Sequence, residues 1–379
     1  MNIAVNAQLL IKDRLEGIGW FEYETLKRIT RAHPEHEFYF FFDRTWDESF
    51  IFSTNVHPIS TLLPSRHPLL WYYRFHHTLP EKLRKYDIDL FFSPDGWNVP
   101  AQFRSVVVIH DLNFVHFPKN LPYLSRKYYE RFFPEYARNA RRVVTVSAYS
   151  KQDISKSFGI NPNQIDVVYN GASDDFVPLG EGEKTDVKRV HTRGHDYFIF
   201  VGALNPRKNI YKLLQAFDDF CDRTDNNFQL VIAGVPMFSS SFFQSKTDHL
   251  KHKDRIHFSG RVGRKELARL VGASHALLLP STFEGFGIPI VEAMYCDVPV
   301  ITSNITAMPE IAGDAALLVD PYSVASIADA MLTLHGDDKL REELIQKGRQ
   351  RRDIFSWDNT ANALWASIER CLPSSSERN

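Results

Sequence analysis

The sequence predicts an α/β protein made of two domains, each a doubly wound parallel sheet covered by helices. Short apolar runs alternate with longer amphipathic stretches along nearly the whole chain, as expected for strands and their covering helices. A polar stretch at 178–196 interrupts the alternation once, and a length of 379 residues suits two or three domains. The runs interpreted as strands are 3–10, 37–42, 89–94, 105–111, 142–147 and 166–171, then 197–202, 229–234, 255–260, 276–281, 298–303 and 316–321.

The polar stretch also sets the predicted domain boundaries. Residues 1–177 form the first domain and residues 197–356 the second. We interpret 178–196 as an exposed linker, because charge dominates there and apolar residues are scarce. Residues 357–379 are predicted to form a last helix and a tail, which can pack back on the first domain or stay with the second.

Composition excludes several classes of protein. A formal net charge of −1 gives no overall electrostatic basis for binding nucleic acid. Cys221, Cys296 and Cys371 are far apart in the sequence, which argues against a zinc site and a disulfide framework. The first residues lack the pattern of a signal peptide, and no window approaches the roughly 20 apolar residues that span a bilayer. We therefore expect a cytoplasmic protein.

The segment FEGFGIPIVEA, 283–293, has the pattern of a strand-to-helix turn. It follows a short apolar run, Gly287 gives the turn its freedom, and Pro289 suits the first turn of a helix. Glu284 then leaves the carboxyl end of a strand, and Glu292 lies in the helix. A helix N-terminus of this kind binds phosphate well. The alternative for Glu292 is that it only complements the helix dipole.

A second strand-to-helix turn, GALNPRKNI, begins at Gly202. It places Arg207 and Lys208 near a helix start, where the dipole favours acidic residues. Two cations in that position indicate an external anion such as phosphate. The alternative is that both are solvated surface residues.

In the first half of the chain, His110 and Asp111 follow an apolar strand at its carboxyl end, where ligands of open α/β sheets bind. A buried histidine bonded to a neighbour is the alternative interpretation. Gly17 and Gly19, in GIGWFE, open a helix after the first strand and would let a ligand approach the backbone. Because Glu22 stands where a dinucleotide fingerprint has its third glycine, a nicotinamide cofactor is disfavoured.

The sequence gives little support for a metal site. The D-x-D pattern at Asp87–Asp89 precedes a predicted strand, and strand amino ends face away from the ligand crevice. No P-loop, GxSxG or HExxH motif is present. We expect neither a metal nor another cofactor.

The stretch 119–156 is basic and aromatic, with nine Lys or Arg side chains and three acidic ones. Such a surface suits peripheral contact with an anionic membrane. The alternative is that the aromatic side chains pack inward and the bases remain solvated. The aromatic residues concerned are Tyr123, Tyr128, Tyr129, Phe132 and Phe133.

Six motifs, in chain order, resemble family 4 of the retaining glycosyltransferases (GT4), and more narrowly its mannosyltransferase-like members. They are VIHDLNF, VSAYSKQDI, VVYNGASDDF, VGALNPRKNI, PSTFEGFGIPIVEAM and EIAGDAALLVDP. The resemblance implies the GT-B fold, in which two Rossmann-like domains face each other across a cleft. It also implies a nucleotide-sugar donor, expected to be GDP-mannose, on the second domain, and a glycan or lipid-linked acceptor on the first.

The resemblance also implies a role for each site residue. Glu292 would bind the donor ribose, Glu284 the hydroxyls of the transferred sugar, and Arg207 and Lys208 the diphosphate, while His110 would approach the sugar from the first domain. Many members carry Arg directly after the glycine at 202, whereas this chain has Ala203, so Arg207 is expected to supply that charge. The other residues implied in donor binding are Gly202, Gly260, Arg261, Val262, Ser281, Gly285, Phe286, Gly287 and Ile288, and Gly17 and Gly19 would line the acceptor or diphosphate loop.

Two other functions remain open on the sequence alone. A nucleotide-sugar 2-epimerase shares the GT-B architecture, and it would need an acid/base pair at the sugar. A non-catalytic nucleotide-sugar binder would keep the same binding residues. Incubation with a nucleotide sugar alone separates the first from a transferase, and turnover separates the second.

Overall fold

The computed structural model describes residues 1–15, 17–61, 67–235 and 248–373. The chain divides into two compact units. The first contains Met1–Asn170 and the segment from Trp357 onward, and the second is the continuous segment Gly171–Ser356.

The first unit contains a seven-stranded parallel sheet among its described residues. Its strands are β1 Asn2–Asn6, β2 Glu37–Phe42, β3 Val56–Ser60, β4 Leu90–Ser93, β5 Ser105–Val108, β6 Arg142–Thr145 and β7 Ile165–Val167. They lie in the order β3-β2-β1-β4-β5-β6-β7. Its helices before the second unit are α1 Gly17–Ala32, α2 Pro68–Tyr73, α3 Leu79–Lys85, α4 Asn113–His116, α5 Tyr123–Asn139 and α6 Ala148–Phe158.

Strand β3 was missed by the sequence analysis. Its sequence, VHPIS, contains Pro58, which cannot donate a backbone hydrogen bond and therefore weakens the strand pattern. The strand lies at the edge of the sheet, where it pairs with β2 alone among the described strands. An edge position tolerates proline because one side of the strand needs no partner.

The second unit contains a six-stranded parallel sheet among its described residues. Its strands are β8 Tyr197–Val201, β9 Gln229–Ala233, β10 Ile256–Gly260, β11 Ala276–Leu279, β12 Val300–Ser303 and β13 Ala316–Val319, in the order β10-β9-β8-β11-β12-β13. Its helices are α7 Glu181–Thr192, α8 Ile210–Asp222, α9 Arg264–Gly272, α10 Ile288–Tyr295, α11 Met308–Ala312, α12 Val324–Gly336 and α13 Asp338–Arg352.

The prediction of an exposed linker at 178–196 is wrong for most of its length, because α7 lies there. The Glu183 side chain accepts a hydrogen bond from the Gly180 amide at 3.1 Å and caps the helix. Val187 is buried, so a narrow apolar stripe is enough to dock the helix. The structure also divides the chain after Asn170 and not after 177.

The last helix, α14 Trp357–Glu369, belongs to the first unit. It packs against α1 and places Trp357, Leu364, Trp365 and Ile368 in the core on one face of the sheet. The chain therefore returns to the first unit after completing the second. No helix in the described part of the chain is long and apolar enough to cross a membrane.

Candidate active site

The predicted donor residues of the second unit converge at the point where its strand order reverses. Strands β8 and β11 are neighbours, and the chain continues from them to opposite edges of the sheet. Gly202 follows β8 and Ser281 lies just after β11. In open α/β sheets, ligands bind outside the carboxyl ends of the strands at such a reversal.

Glu284 is the centre of a buried ion cluster at this position. Its Oε2 lies 2.6 Å from Arg207 Nη1, and its Oε1 lies 2.5 Å from Lys208 Nζ. The Ser281 hydroxyl donates to Oε1 at 2.8 Å. Glu284 is 5% exposed and Lys208 is 8% exposed. Glu284 thus pairs with both cations, which the sequence analysis did not foresee.

Glu284 keeps its charge although it is buried. Burial by itself would raise the pKa of Glu284, but Lys208 and then Arg207 outweigh burial and lower that pKa to about 2. The carboxylate is thus ionised at neutral pH. Arg207 and Lys208 both lie against it, and two cations at the end of this strand suit an anionic ligand.

Asn209 ties the turn that carries Arg207 and Lys208 to the ends of two strands, β11 and β13, and the sequence analysis missed it. It adopts a left-handed conformation, with φ of 59°, between the turn Pro206–Lys208 and α8. Its Nδ2 donates to the carbonyls of Pro280, at 3.0 Å, and Pro321, at 2.6 Å. An asparagine directly before a predicted helix was the available signal, because Asn tolerates this conformation better than most residues.

The turn before α10 is compact. Gly285, Phe286 and Gly287 are buried and Ile288 is partly buried. Gly287 has a φ of 94°, a conformation that favours glycine. Phe286 meets Phe355 edge-on, with ring centroids 5.7 Å apart.

Glu292 lies in α10 in a setting unlike that of Glu284. Burial raises the pKa of Glu292 to about 7, and the charge of Arg264 opposes this only in part. Within the described residues the carboxyl has no hydrogen-bond or ion-pair partner.

Three more of the residues implied in donor binding lie at the end of another strand, β10: Gly260, Arg261 and Val262. Gly260 ends β10, which β9 separates from β8. Gly260 has a φ of 65°, and a Cβ added to it would meet no atom within 4 Å. Arg261 is exposed and Val262 is partly buried.

In the first unit, His110 follows β5. Its Nε2 donates to the Pro94 carbonyl at 2.9 Å, and its ring meets Phe21 edge-on at 4.8 Å. Burial lowers the pKa of His110, so the ring is neutral at pH 7. Asp111 has a local role, because its Oδ1 accepts the Asn113 amide at 3.0 Å.

The two glycines of GIGWFE differ in their surroundings. A Cβ added to Gly17 would meet no atom within 4 Å, which suits close approach of a ligand. A Cβ on Gly19 would lie 3.2 Å from the Leu9 carbonyl oxygen. Gly19 therefore allows close packing of the chain on itself, which the sequence analysis did not foresee.

A polar network at the carboxyl ends of β1 and β4 was also missed. The Asp95 carboxylate accepts hydrogen bonds from Asn6, at 2.9 Å, Gln8, at 2.5 Å, and Ser93, at 2.8 Å. Arg74 is fully buried and donates to the Asn6 side-chain oxygen at 3.1 Å. Strand order reverses between β1 and β4 as well. The signal was the polar SPD directly after an apolar strand.

Two family models match the chain side by side. The model "Glycosyltransferase Family 4" matches residues 17–176, and the model "Glycosyl transferases group 1" matches residues 183–351. The chain therefore belongs to the GT4-type glycosyltransferases. The resemblance seen in the six motifs is confirmed, and so is its assignment as a transferase.

Relatives of this glycosyltransferase include proteins named as mannosyltransferases. The chain is 29% identical to the O-antigen chain mannosyltransferase B of Escherichia coli over 360 residues, covering 92% of this chain and 94% of that one. It is 28% identical to the O-antigen chain mannosyltransferase RfbU of Salmonella typhimurium over 255 residues, 67% of each chain.

Solved structures share the fold of the glycosyltransferase. Sucrose-phosphate synthase from Thermosynechococcus elongatus has a TM-score of 0.78 at 18% identity, covering 97% of this chain and 98% of that one. HepE of Anabaena, solved in complex with UDP-glucose, has a TM-score of 0.75 at 16% identity, covering 98% of this chain and 100% of that one. The predicted fold, two Rossmann-like α/β domains of GT-B type, is confirmed.

The D-x-D pattern lies where the sequence analysis expected it. Asp89 directly precedes β4, at its amino end, and accepts the Asn2 amide at 2.7 Å. Within the described ranges of the glycosyltransferase, no group of three or more His, Cys, Asp or Glu residues is placed to hold a metal ion.

Some aromatic residues of the stretch 119–156 pack inward, and others are exposed as a membrane-contacting surface would require. Tyr128 and Phe133 are buried, as the inward-packing alternative expects, whereas Tyr123 is 64% exposed. Helix α2, which the sequence analysis did not include, packs beside α5 through Trp71, whose ring lies 5.4 Å from that of Tyr128. Leu69 on α2 is 74% exposed.

Proposed function

We propose that the protein is a retaining glycosyltransferase that moves mannose from GDP-mannose to a glycan or lipid-linked acceptor in the synthesis of a polysaccharide or cell-envelope glycan. The observation that supports donor binding is the cluster of two cations, Arg207 and Lys208, held by Glu284 at the strand-order reversal. The choice of mannose rests on the names of the relatives, two of which are O-antigen mannosyltransferases.

In this proposal, the cations act on the leaving group. As the bond between the sugar and the diphosphate breaks, negative charge grows on the phosphate, and Arg207 and Lys208 stabilise it. One well-placed donor of this kind is worth about 3 to 4 kcal/mol in the transition state. Because the two side chains are held by Glu284 before the donor arrives, little reorganisation is needed. The proposed reaction therefore needs no divalent metal.

Glu284 would also face the sugar. Its carboxylate can accept hydrogen bonds from sugar hydroxyls while it holds the cations, and its charge favours the positive charge that develops at the anomeric carbon. Glu292 would accept the ribose hydroxyls of the donor, since its carboxyl lacks a partner within the described residues. His110 is proposed to contact the transferred sugar, with Nδ1 free to act because Nε2 is bonded to Pro94.

The donor is tested by thermal stabilisation with GDP-, UDP- and ADP-sugars. We expect selective stabilisation by GDP-mannose, and selective stabilisation by a UDP-sugar would contradict the proposed donor. Incubation with the stabilising nucleotide sugar alone should leave it unconverted, because conversion to its 2-epimer would indicate the epimerase. The metal proposal is tested by transfer in excess EDTA, where activity should persist; loss restored by Mg²⁺ or Mn²⁺ would contradict it.

We further propose that the surface formed by α2 and the start of α5 contacts an anionic membrane. Leu69 and Tyr123 are exposed there at 74% and 64%, and the neighbouring Lys119 and Lys127 are exposed bases. Sedimentation with phosphatidylglycerol vesicles should exceed sedimentation with phosphatidylcholine vesicles. A double substitution of Leu69 and Tyr123 by serine should remove the difference. Equal sedimentation of both proteins would contradict the proposal.

A further inference from the structure

The segment 93–96, at the carboxyl end of β4, is anchored by one side chain. The Asp95 carboxylate accepts hydrogen bonds from the side-chain amides of Asn6, at 2.9 Å, and Gln8, at 2.5 Å, and from the Ser93 hydroxyl at 2.8 Å. Asn6 ends β1, which lies beside β4 in the sheet. The carboxylate therefore joins the ends of two neighbouring strands, and three donors on one short side chain leave it little freedom.

Arg74 fixes the orientation of Asn6. It is 0% exposed and donates to Asn6 Oδ1 at 3.1 Å, to the Phe41 carbonyl at 3.1 Å and to the Thr61 hydroxyl at 2.6 Å. Because an arginine side chain can only donate, Asn6 must turn its oxygen toward Arg74 and its NH2 group toward Asp95. The network is thus continuous from Arg74 to Asp95, and Asn6 has one orientation in it.

The Asp95 anchor also determines where the Pro94 carbonyl points. That carbonyl and the Asp95 backbone nitrogen belong to the same planar peptide unit, and the proline ring fixes the preceding backbone dihedral angle. A Cβ added to Gly96 would lie 3.0 Å from the Phe133 ring and 3.6 Å from the Ile109 side chain, so the segment has little room to shift. The Pro94 carbonyl is therefore held from both sides along the chain.

His110 is bound by that carbonyl. His110 Nε2 lies 2.9 Å from the Pro94 oxygen, and because a carbonyl can only accept, Nε2 carries the proton. In a neutral imidazole the other nitrogen, Nδ1, then has the lone pair. The Phe21 ring meets His110 edge-on at 4.8 Å and supports the ring at another point. The tautomer and the orientation of His110 thus depend on the Pro94 carbonyl.

We propose that Asp95 is a positioning residue for the transfer reaction. Through the Pro94 carbonyl, it holds His110 in the Nε2-protonated tautomer, so that Nδ1 accepts a hydrogen bond from a hydroxyl of the transferred sugar. The side chains that donate to the Asp95 carboxylate hold it in place. The role of His110 at the sugar rests on the proposed function, whereas the control of its tautomer by Asp95 can be tested without any transfer.

The first test is the tautomer of His110, measured by long-range ¹H–¹⁵N correlation NMR on the full chain. The His110 signals are those that disappear in His110→Gln. We expect a protonated Nε2 and an unprotonated Nδ1 in the wild type. In Asp95→Asn, the new NH2 group faces at least one of the three donors, so the segment moves and the signals should shift toward a mixture of both tautomers. Asp89→Asn is the control, because it makes the same chemical change at the amino end of β4, and it should leave the signals unchanged.

The second test is a double-mutant cycle in transfer kinetics. Asp95→Asn should lower kcat by about tenfold or more, because a small misplacement of a group at the reacting sugar is costly. In a His110→Gln background, the same change should lower kcat by about twofold or less, since residues that act through one another are not additive. The Kd for GDP, which lacks the sugar, should stay unchanged. A purely structural Asp95 would lower kcat by the same factor in both backgrounds.

Two results would overturn the proposal. One is a His110 tautomer that is the same in Asp95→Asn as in the wild type, and the other is an equal loss of kcat in both backgrounds. If Asp95→Asn does not fold, Ser93→Ala replaces it in both tests, because it removes only one donor, and it should shift both readouts in the same direction by less. A protein without transfer in which the His110 tautomer follows Asp95 would uphold the positioning and contradict the transferase function.

Discussion

Glu284 and Glu292 belong to one turn-and-helix segment, but their surroundings shift their pKa values in opposite directions. Glu284 is buried and Glu292 is partly buried, and burial disfavours the charged form of each carboxyl. At Glu284 the charges of Lys208 and Arg207 reverse that effect, whereas at Glu292 the opposing charge of Arg264 is too weak. Two carboxyls whose pKa values are shifted in opposite directions usually have different roles.

We predict that these two residues can be separated kinetically. Glu292→Gln should mainly raise the donor KM, because ribose is bound alike in the ground and transition states. Glu284→Gln should lower kcat by about tenfold or more while GDP still binds, because its interaction strengthens in the transition state. Steady-state rates and calorimetry with GDP measure both. Equal loss of GDP binding in the two variants would contradict the division of roles.

The raised pKa of Glu292 predicts a pH-dependent nucleotide affinity. As the pH rises through about 7, Glu292 loses its proton and becomes a better acceptor for ribose hydroxyls. The Kd for GDP should therefore fall as the pH rises from 6 to 8. The GDP phosphate also titrates in this range, so Glu292→Gln serves as the control. A wild-type profile that matches the variant's would show that Glu292 does not bind the nucleotide.

The raised pKa of Glu292 also determines how the stability of the ligand-free protein changes with pH. Between the usual pKa of 4.5 and about 7, the folded state holds a proton that the unfolded state has lost. The contribution of Glu292 to the free energy of unfolding is therefore full below that range and is lost as the pH rises through it. Urea unfolding at pH 5 and pH 8 measures this effect. From pH 5 to pH 8, the free energy of unfolding of the wild type should fall relative to that of Glu292→Gln.

At the scale of elements, the turns that follow β8 and β11 depend on close backbone contacts. Gly202 has a φ of 143°, and Asn209 links the ends of β11 and β13 to the start of α8. Gly234, after β9, packs so closely on this turn that an added Cβ would lie 1.9 Å from the Gly202 carbonyl oxygen. A Cβ added to Gly202 would lie 3.4 Å from the Lys208 side chain, so we infer that the position of Lys208 depends on the Gly202 turn and, through it, on Gly234.

We predict that Gly234→Ala is destabilising by about 1–3 kcal/mol or more, because the new methyl group forces the Gly202 turn to move. The displaced turn should also weaken GDP binding. Gly182→Ala is the matched control, because Gly182 lies in α7 with no atom near an added Cβ, and alanine favours a helix. Urea unfolding and calorimetry give the two readouts. Equal stability of the two variants would contradict the close contact.

At the scale of the whole molecule, the last helix joins the end of the chain to the first unit. Leu364 on α14 is 0% exposed and lies in the core that contains β1, β2 and α1. The first unit is therefore assembled from two separate segments, and the second from one. This arrangement makes the first unit depend on residues that follow the second unit in the chain.

We predict that Leu364→Ala destabilises the first unit by about 2–5 kcal/mol, the usual cost of a buried Leu-to-Ala change. All six tryptophans, at positions 20, 46, 71, 97, 357 and 365, belong to the first unit, so tryptophan fluorescence reports on it alone. The fluorescence transition in urea should shift to lower concentration. The exposed Asn362→Ala, on the same helix, should leave it in place. An unshifted transition in Leu364→Ala would contradict the packing.

The sequence alone was enough to predict twelve of the strands, the turns after β8 and β11 and the family. Strands buried on both faces need continuous apolar runs, and turns at strand ends need glycine, proline or asparagine. Both features can therefore be recognised from short segments of the sequence. Strand β3 and helix α7 departed from the pattern for local reasons as well: a proline tolerated at a sheet edge, and a helix docked by a narrow apolar stripe.

What only the tertiary structure decided is which polar groups meet. Arg207 and Lys208 are distant in sequence from Glu284, as Asn6 is from Asp95, and no local pattern records that these pairs are in contact. The strand order brings β8 beside β11 and β1 beside β4, and this order follows from packing the whole sheet. Charge pairing, burial and the pKa values of Glu22, Glu284 and Glu292 depend on these three-dimensional neighbours, because electrostatic energy depends on distance in space and on exclusion of water.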